Sequence, residues 1–175
     1  MSEQEVKQLP LRSEIADGYK WAVDRVYADT EAWEKDYAAA KALLPQLASF
    51  RGRLGEGWQV MLEYLKLDEE FSLLLERLYL YAHMRRDEDN SNSVFQGLHD
   101  RAQSLAVEAG QTAAFFSPEV LSLPEEQLAA YLEREELSLY RLMFKNITRY
   151  RPHTLSPASP AAVSMYPFSL RGSAE

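Results

Sequence analysis

The stretch LERLYLYAHMRRDEDNSNSVFQGLHDRAQ, Leu75–Gln103, decides the fold. Two apolar patterns of helical period meet in it at a polar turn. Upstream, Phe71, Leu74, Leu75, Leu78, Tyr79 and Ala82 recur at the steps of one helix face rather than in the alternation of a strand. Downstream, Phe95, Leu98, Ala102, Leu105, Ala109, Thr112 and Phe116 keep steps of three and four more strictly, as a helix does along the seam it presents to a neighbour. A single helix over 92–116 would be about 37 Å long at ~1.5 Å per residue. The expected fold is therefore all-α. It is an antiparallel helical bundle built on a long helical hairpin, with an extended N-terminal arm over 1–28, a helical body over 29–151 and an irregular tail over 152–175.

The rest of the chain is read outward from that hairpin. The arm carries Leu9, Leu11, Ile15, Trp21, Val23, Val26 and Tyr27. Trp21 and Tyr27, with Val23, are expected to pin it to the body, because large aromatic side chains bury the most area per residue. A first helix is expected over 31–50, capped by Asp29 or Thr30, with Trp33, Tyr37, Ala40, Leu44 and Leu47 on its apolar face. Pro45 lies inside this pattern without an amide to donate, so a kink or restart is expected there. The segment RGRLGEG, Arg51–Gly57, follows no strand and leads to no Gly-Lys-Ser/Thr step, which favours a flexible turn over a phosphate cradle. A second helix is expected over 58–86, with a break near Leu67 and Asp68 left open. Asn90, Ser91 or Asn92 is placed to cap the next helix. Ser117 and Pro118 end the seam. Short helices are expected over 118–122 and 124–134, then one over 136–150 whose Leu139, Leu142, Met143 and Ile147 form a stripe. From Pro152 onward, proline and serine replace helical periodicity.

Charge and composition narrow the partners. Nineteen basic against 27 acidic residues give a net charge of −8, which opposes association with phosphate backbones and anionic bilayers. No nucleic acid and no membrane are expected as partners. The absence of cysteine excludes disulfides and thiolate metal sites. Met1 leads into the polar SEQEVKQ, and no run approaches the ~18 apolar residues that span a bilayer, so a cytoplasmic setting is expected.

Candidate chemistry is sparse. A hydrolytic zinc site wants two histidines one helical turn apart with a glutamate beside the first, the H-E-x-x-H spacing that aims both imidazoles at one ion. His83, His99 and His153 do not provide it. His83 and Asp87 stand four apart on a tyrosine-rich helix, where a hydrogen-bonded structural histidine is preferred over a ligand. Asp87, Glu88 and Asp89 could supply an acid and base pair, but Arg85 and Arg86 beside them favour ion pairs that shape the turn. No serine lies in a G-x-S-x-G elbow. Tyr79, Tyr81, Tyr131, Tyr140 and Tyr150 could line a peptide-binding surface, although helical spacing assigns most of them to core or interface.

Four stretches carry a family resemblance: RSEIADGYKWAVDRVY (Arg12–Tyr27), the hairpin extended to Leu105, FFSPEVLSLPEEQLAAYL (Phe115–Leu132) and RYRPHTLS (Arg149–Ser156). In order and spacing they resemble the N-terminal region of oligoendopeptidase F, a zinc metallopeptidase of the thimet oligopeptidase (M3) family. The likeness runs over 9–157 and stops within SPASPAAVSMYPFSLRGSAE, where a truncated or frameshifted version of a longer peptidase, or an artificial end of one, is expected. The resemblance implies a helical region ahead of a catalytic domain that holds zinc through HExxH and a further glutamate. It also implies a part in enclosing a channel that admits short peptides. No catalytic or metal residue carries over to this chain, which alone is expected to hold no zinc and cleave nothing. Its expected partners are the catalytic domain or a second copy, met through exposed apolar helix faces. The structural and interface candidates are Trp21, Tyr27, Tyr79, Tyr81, His83, Asp87, Phe95, Leu98, Leu105 and Phe116. The alternative is a free-standing helical interaction or scaffold domain.

Overall fold

Asp29 stands in extended backbone ahead of the first helix, and its Oδ1 accepts the Ala32 amide at 2.8 Å, satisfying one of the free N-terminal donors. The computed structural model describes Pro10 and residues 14–151; these residues form helices and turns, with no strand among them. Helix α1 runs Thr30–Ala48 and carries Pro45 in its last turn. The expected restart does not occur. Pro45 removes one donor, while the Ser49 amide still reaches the Pro45 carbonyl at 3.1 Å, so little helix lies beyond the lost bond to be displaced.

Helix α2, Trp58–Glu88, is continuous through Leu67 and Asp68. Its buried positions Met61, Tyr64, Leu65, Phe71, Leu75, Leu78 and Ala82 keep one register on both sides of that point, so nothing there calls for a break. Beyond it the chain turns tightly. Asp89 Oδ1 accepts the Ser91 amide at 3.0 Å, and Asn92 Oδ1 accepts the amides of Val94 and Phe95 at 3.0 and 3.4 Å. Helix α3, Ser93–Ala113, then buries Leu98, His99, Ala102, Leu105 and Ala109. Near the turn, His99 meets His83 with ring centroids 5.5 Å apart; just beyond the far end of α3, Phe116 stacks at 4.9 Å on Tyr64 of early α2. The second helix therefore retraces the first. Helix α1 joins both: Trp33 Nε1 donates to the Leu78 carbonyl at 2.9 Å, and the Arg101 guanidinium lies 4.9 Å over the Trp33 ring.

Three expectations downstream are corrected. The seam does not reach Phe116 in one helix: α3 stops at Ala113, and Phe116 opens α4, Phe116–Ser122. Ser117 and Pro118 lie within α4, where Pro118 is the third residue and its missing donor has no helical acceptor to serve. Helix α5 spans Glu125–Leu132 behind Pro124. The segment Glu135–Tyr140 is a 3₁₀-helix, followed by α6, Arg141–Thr148, in place of one α-helix over 136–150. The tighter winding brings Leu137, Phe144 and Ile147 inward and leaves Leu139 86% and Leu142 69% exposed, so the expected stripe is only half buried.

The arm contains 3₁₀ turns at Asp17–Tyr19 and Val23–Arg25. Val23 and Tyr27 are buried, but Trp21 is 58% exposed and does not pin the arm as expected. The turn at Val23 directs residues three apart, Val23 and Val26, towards the body, while Trp21 precedes it. Tyr27 is held by a 2.8 Å hydrogen bond to Asp36 Oδ2, edge-on contact with Tyr81 at 5.5 Å and the Arg77 guanidinium at 4.8 Å. The expected tail over 152–175, with His153, and the arm residues Leu9 and Leu11 lie outside the described residues. Among the described residues no helix is long and apolar enough to cross a membrane.

Candidate functional site

Steps of three and four along the end of α2 place Tyr79, His83, Arg86 and Asp87 close together, and α3 adds His99 opposite them. Tyr79 stacks on His83 at 5.5 Å and 13°, and His99 lies 5.4 Å from Tyr79. The Arg86 guanidinium fills the space between: Nη2 is 3.2 Å from His83 Nδ1 and 3.0 Å from Asp87 Oδ1, and Nη1 is 3.1 Å from His99 Nε2. His83 Nε2 lies 3.4 Å from Asp87 Oδ2. A guanidinium only donates, so a ring nitrogen that accepts from it carries no proton. Burial pushes the His99 pKa below its ordinary value, and the charges of Arg86 and His83 push the same way; Asp100, 3.7 Å away, opposes them less strongly.

Two imidazoles and a carboxylate thus converge, but on a cation the chain itself supplies. Among the described residues no three histidine or acidic side chains are placed to hold one metal ion. These residues do not fit the catalytic zinc of the peptidases that the chain resembles. What the cluster does is join the ends of α2 and α3 across the turn. Sequence spacing pointed to the His83 and Asp87 pair and to Arg86 as an ion-pair partner beside it, as found with Asp87; the contact of Arg86 with His99 across the turn was not foreseen. Of the other candidates, Tyr81, Leu98 and Leu105 are buried, and Phe95 and Phe116 are half-buried, Phe95 beneath Arg85 at 5.9 Å.

The cluster has a pH signature. A histidine whose pKa falls on folding binds a proton more readily when unfolded, so its contribution to stability is complete above its ordinary pKa of about 6.5 and is lost as the pH drops below it. The urea midpoint is expected to hold between about pH 7 and 8 and to fall below about pH 6.5, and His99→Gln to flatten that fall. An unchanged slope in His99→Gln would remove His99 as its cause. Glu34, whose pKa is lowered chiefly by its hydrogen bond from Arg101, loses its contribution only at more acid pH, outside this window.

A second polar site lies at the opposite end of α2. The loop Arg51–Gly57, expected to be a flexible turn, is instead gripped by one carboxylate. Glu119 of α4 accepts the amides of Gly52 and Leu54, each at 2.7 Å, through its two oxygens. Gly52 has a φ of 82°, which glycine adopts without strain, and Leu54 is fully buried. The Gly55 carbonyl accepts from Gln127 Nε2 at 2.8 Å and from the Tyr131 hydroxyl at 3.1 Å. The loop does cradle an anion, and the anion is the chain's own.

Comparison with known proteins supplies the rest. A family model described as Oligopeptidase F matches residues 119–165. Oligopeptidase PepF of Bacillus subtilis is 39% identical over 163 residues, covering 93% of this chain and 24% of that protein. The chain belongs to the oligoendopeptidase F family. The crystal structure of oligoendopeptidase-F from Enterococcus faecium superposes with a TM-score of 0.65 at 29% identity, over 73% of this chain and 25% of that one. A solved structure from Chlamydophila abortus has the same fold over 86% of this chain and 26% of its own, with a TM-score of 0.76 and 25% identity. The oligoendopeptidase F match is to the N-terminal part of the family, and the chain spans about a quarter of the relatives' length. Neither the Arg86 cluster nor the Glu119 clamp contains a peptidase constellation, and both read as structural parts of this region.

Proposed function

We propose that the chain is the non-catalytic N-terminal helical domain of an oligoendopeptidase F-like zinc metallopeptidase, working in the cytoplasm. It forms one side of the enclosure through which short peptides reach a catalytic domain, and that domain supplies every zinc ligand. The body over 29–151 is the folded unit of a chain divided into an arm over 1–28, that body and a tail over 152–175. The candidate residues divide accordingly: Tyr27, Tyr81, Leu98 and Leu105 hold the body together, and Trp21 is exposed outside the core. The observation that carries the reading is the 163-residue alignment with one quarter of a bacterial oligopeptidase.

The test uses two proteins, this chain alone and a chimera in which it replaces the aligned region of the Bacillus subtilis peptidase. With a quenched fluorescent peptide and added zinc, the chain alone is expected to give no cleavage and the chimera to cleave. Turnover by the chain alone with stoichiometric zinc overturns the reading, as does a folded chimera without activity. A free-standing interaction domain is the second reading, favoured by a core that α1 to α6 close by themselves. It requires a stable monomer whose folding and solution behaviour are untouched by the catalytic portion of the relative.

A further inference from the structure

Between Ala82 of α2 and Leu98 of α3 no side chain is fully buried, so the tip of the hairpin adds nothing to the closed core. Phe95 there is half-buried beneath the Arg85 guanidinium, whose charge Glu88 meets at 3.3 Å. At the base of the tip a polar contact joins the two helices. His99, only 6% exposed, faces Arg86, whose Nη1 lies 3.2 Å from Nδ1 and 3.1 Å from Nε2 of the ring. A neutral imidazole keeps a lone pair on one nitrogen or the other, so either tautomer offers Nη1 an acceptor. The imidazolium offers none, and it turns an N–H and a positive charge towards the guanidinium.

The charges that face His99 give that reversal its sign. From α2 come Arg86 and His83, whose Nδ1 lies 3.2 Å from Arg86 Nη2. Asp87 already serves both, at 3.0 Å from the guanidinium and 3.4 Å from His83 Nε2. From α3 comes Asp100, 3.7 Å away but with its side chain 78% exposed, where water screens it. Helix α1 sends Glu34 towards α3, but its partner Arg101 is two residues from His99 and on another face. A proton on His99 therefore meets a fixed cation and no buried counter-charge. We propose that Arg86 and His99 form an acid-released latch: protonation of His99 breaks their contact, and the hairpin tip over 83–97 opens while α1 and the rest of α2 and α3 stay packed. Segments with few buried contacts open at lower free energy than the whole domain. Such an opening is distinct from a loss of global stability at acid pH, and it does not depend on the proposed function.

Native-state amide exchange of the whole chain separates the two, read as protection factors so that the intrinsic pH dependence of exchange is removed. The amides at 97–100 bond to carbonyls at 93–96, in the tip, and those at 105–109 lie well below it. An opened tip frees an imidazole of ordinary pKa, about 6.5, so between pH 7.5 and 5.5 its population rises by about tenfold if the closed form takes up no proton. Protection at 97–100 is expected to fall by about tenfold over that range and to respond weakly to low urea, because a local opening exposes little surface. The amides at 105–109 are expected to stay better protected, with the full urea slope of global unfolding. Equal protection and equal urea slopes at the two sets overturn the latch, since the tip then opens only with the whole domain. His99→Gln, which keeps an acceptor for Arg86, is expected to abolish the fall at 97–100; a fall that persists overturns His99 as the trigger. Arg86→Gln is expected to lower protection at 97–100 at pH 7.5 and to leave little further fall at pH 5.5. A fall of about tenfold retained in Arg86→Gln would mean that burial of the ring, not the guanidinium, sets the response, and it too overturns the latch.

Discussion

Trp33→Ala is expected to destabilise the chain by about 3–5 kcal/mol, the range for removing a large aromatic from a close-packed core, out of the roughly 5–15 kcal/mol by which a domain of this kind is stable. Trp33 is fully buried on α1 and links three helices. Its indole donates to the Leu78 carbonyl of α2 at 2.9 Å, and its ring stacks on Tyr37 at 5.0 Å. Arg101 of α3 covers both rings, at 4.9 and 4.3 Å, and donates to Glu34 at 2.7 Å. Burial outweighs the hydrogen bond here. One neutral hydrogen bond contributes on the order of 1 kcal/mol net, so Trp33→Phe, which keeps a ring in the site, is expected to cost about 1–2 kcal/mol. With a urea slope of about 2 kcal/mol/M, the alanine variant shifts the midpoint by roughly 2 M and the phenylalanine variant by under half of that. Equal shifts for the two variants would show that the indole hydrogen bond, not the ring volume, holds α1 to α2.

How much of this was legible in the sequence depends on the range of the interaction. Helix faces were legible because they are local: the period through Phe71, Leu75 and Leu78, and the seam through Leu98, Ala102 and Leu105, needs only a count of three and four. Asp29 and Asn92 were legible as caps for the same reason, since each side chain bonds its own backbone two or three residues on. Trp21 was misread because area explains why an aromatic gains by burial, not whether the turn beside it points inward. Leu139 and Leu142 were misplaced because α and 3₁₀ winding differ by under one residue per turn, enough to rotate the face within six residues. Arg86 was seen only as a surface ion-pair partner, because its contact with His99 crosses the turn between two helices. The family was legible because ordered blocks such as DEDNSN constrain more than periodicity does. The Glu119 clamp was not legible at all: its partners lie 67 and 65 residues away, and they are backbone amides, which carry no side-chain identity.

That clamp yields the second large effect. Glu119→Ala is expected to cost about 2–3 kcal/mol, because hydrogen bonds to a charged acceptor contribute roughly 1.5–3 kcal/mol each and one of the two lies in the exposed part of the loop, where water replaces the carboxylate cheaply. The other donor, Leu54, is the costly one. Its side chain is fully buried, so its amide cannot turn to solvent without withdrawing Leu54 from the core. Glu119→Gln separates charge from shape. It keeps one acceptor oxygen but turns an NH₂ towards one of the two amides, so it is expected to recover less than half of the loss. Amide hydrogen exchange gives the local reading: Gly52 and Leu54 should exchange faster in Glu119→Ala, whereas amides in the middle of α3, which does not touch the clamp, should follow global stability only. Unchanged protection at both loop amides, with the full stability loss, would mean that Glu119 acts through α4 and that the loop is held by Gln127 and Tyr131 instead. Retained protection at Leu54 alone would place the holding force in its buried side chain and leave the carboxylate as a lock on Gly52.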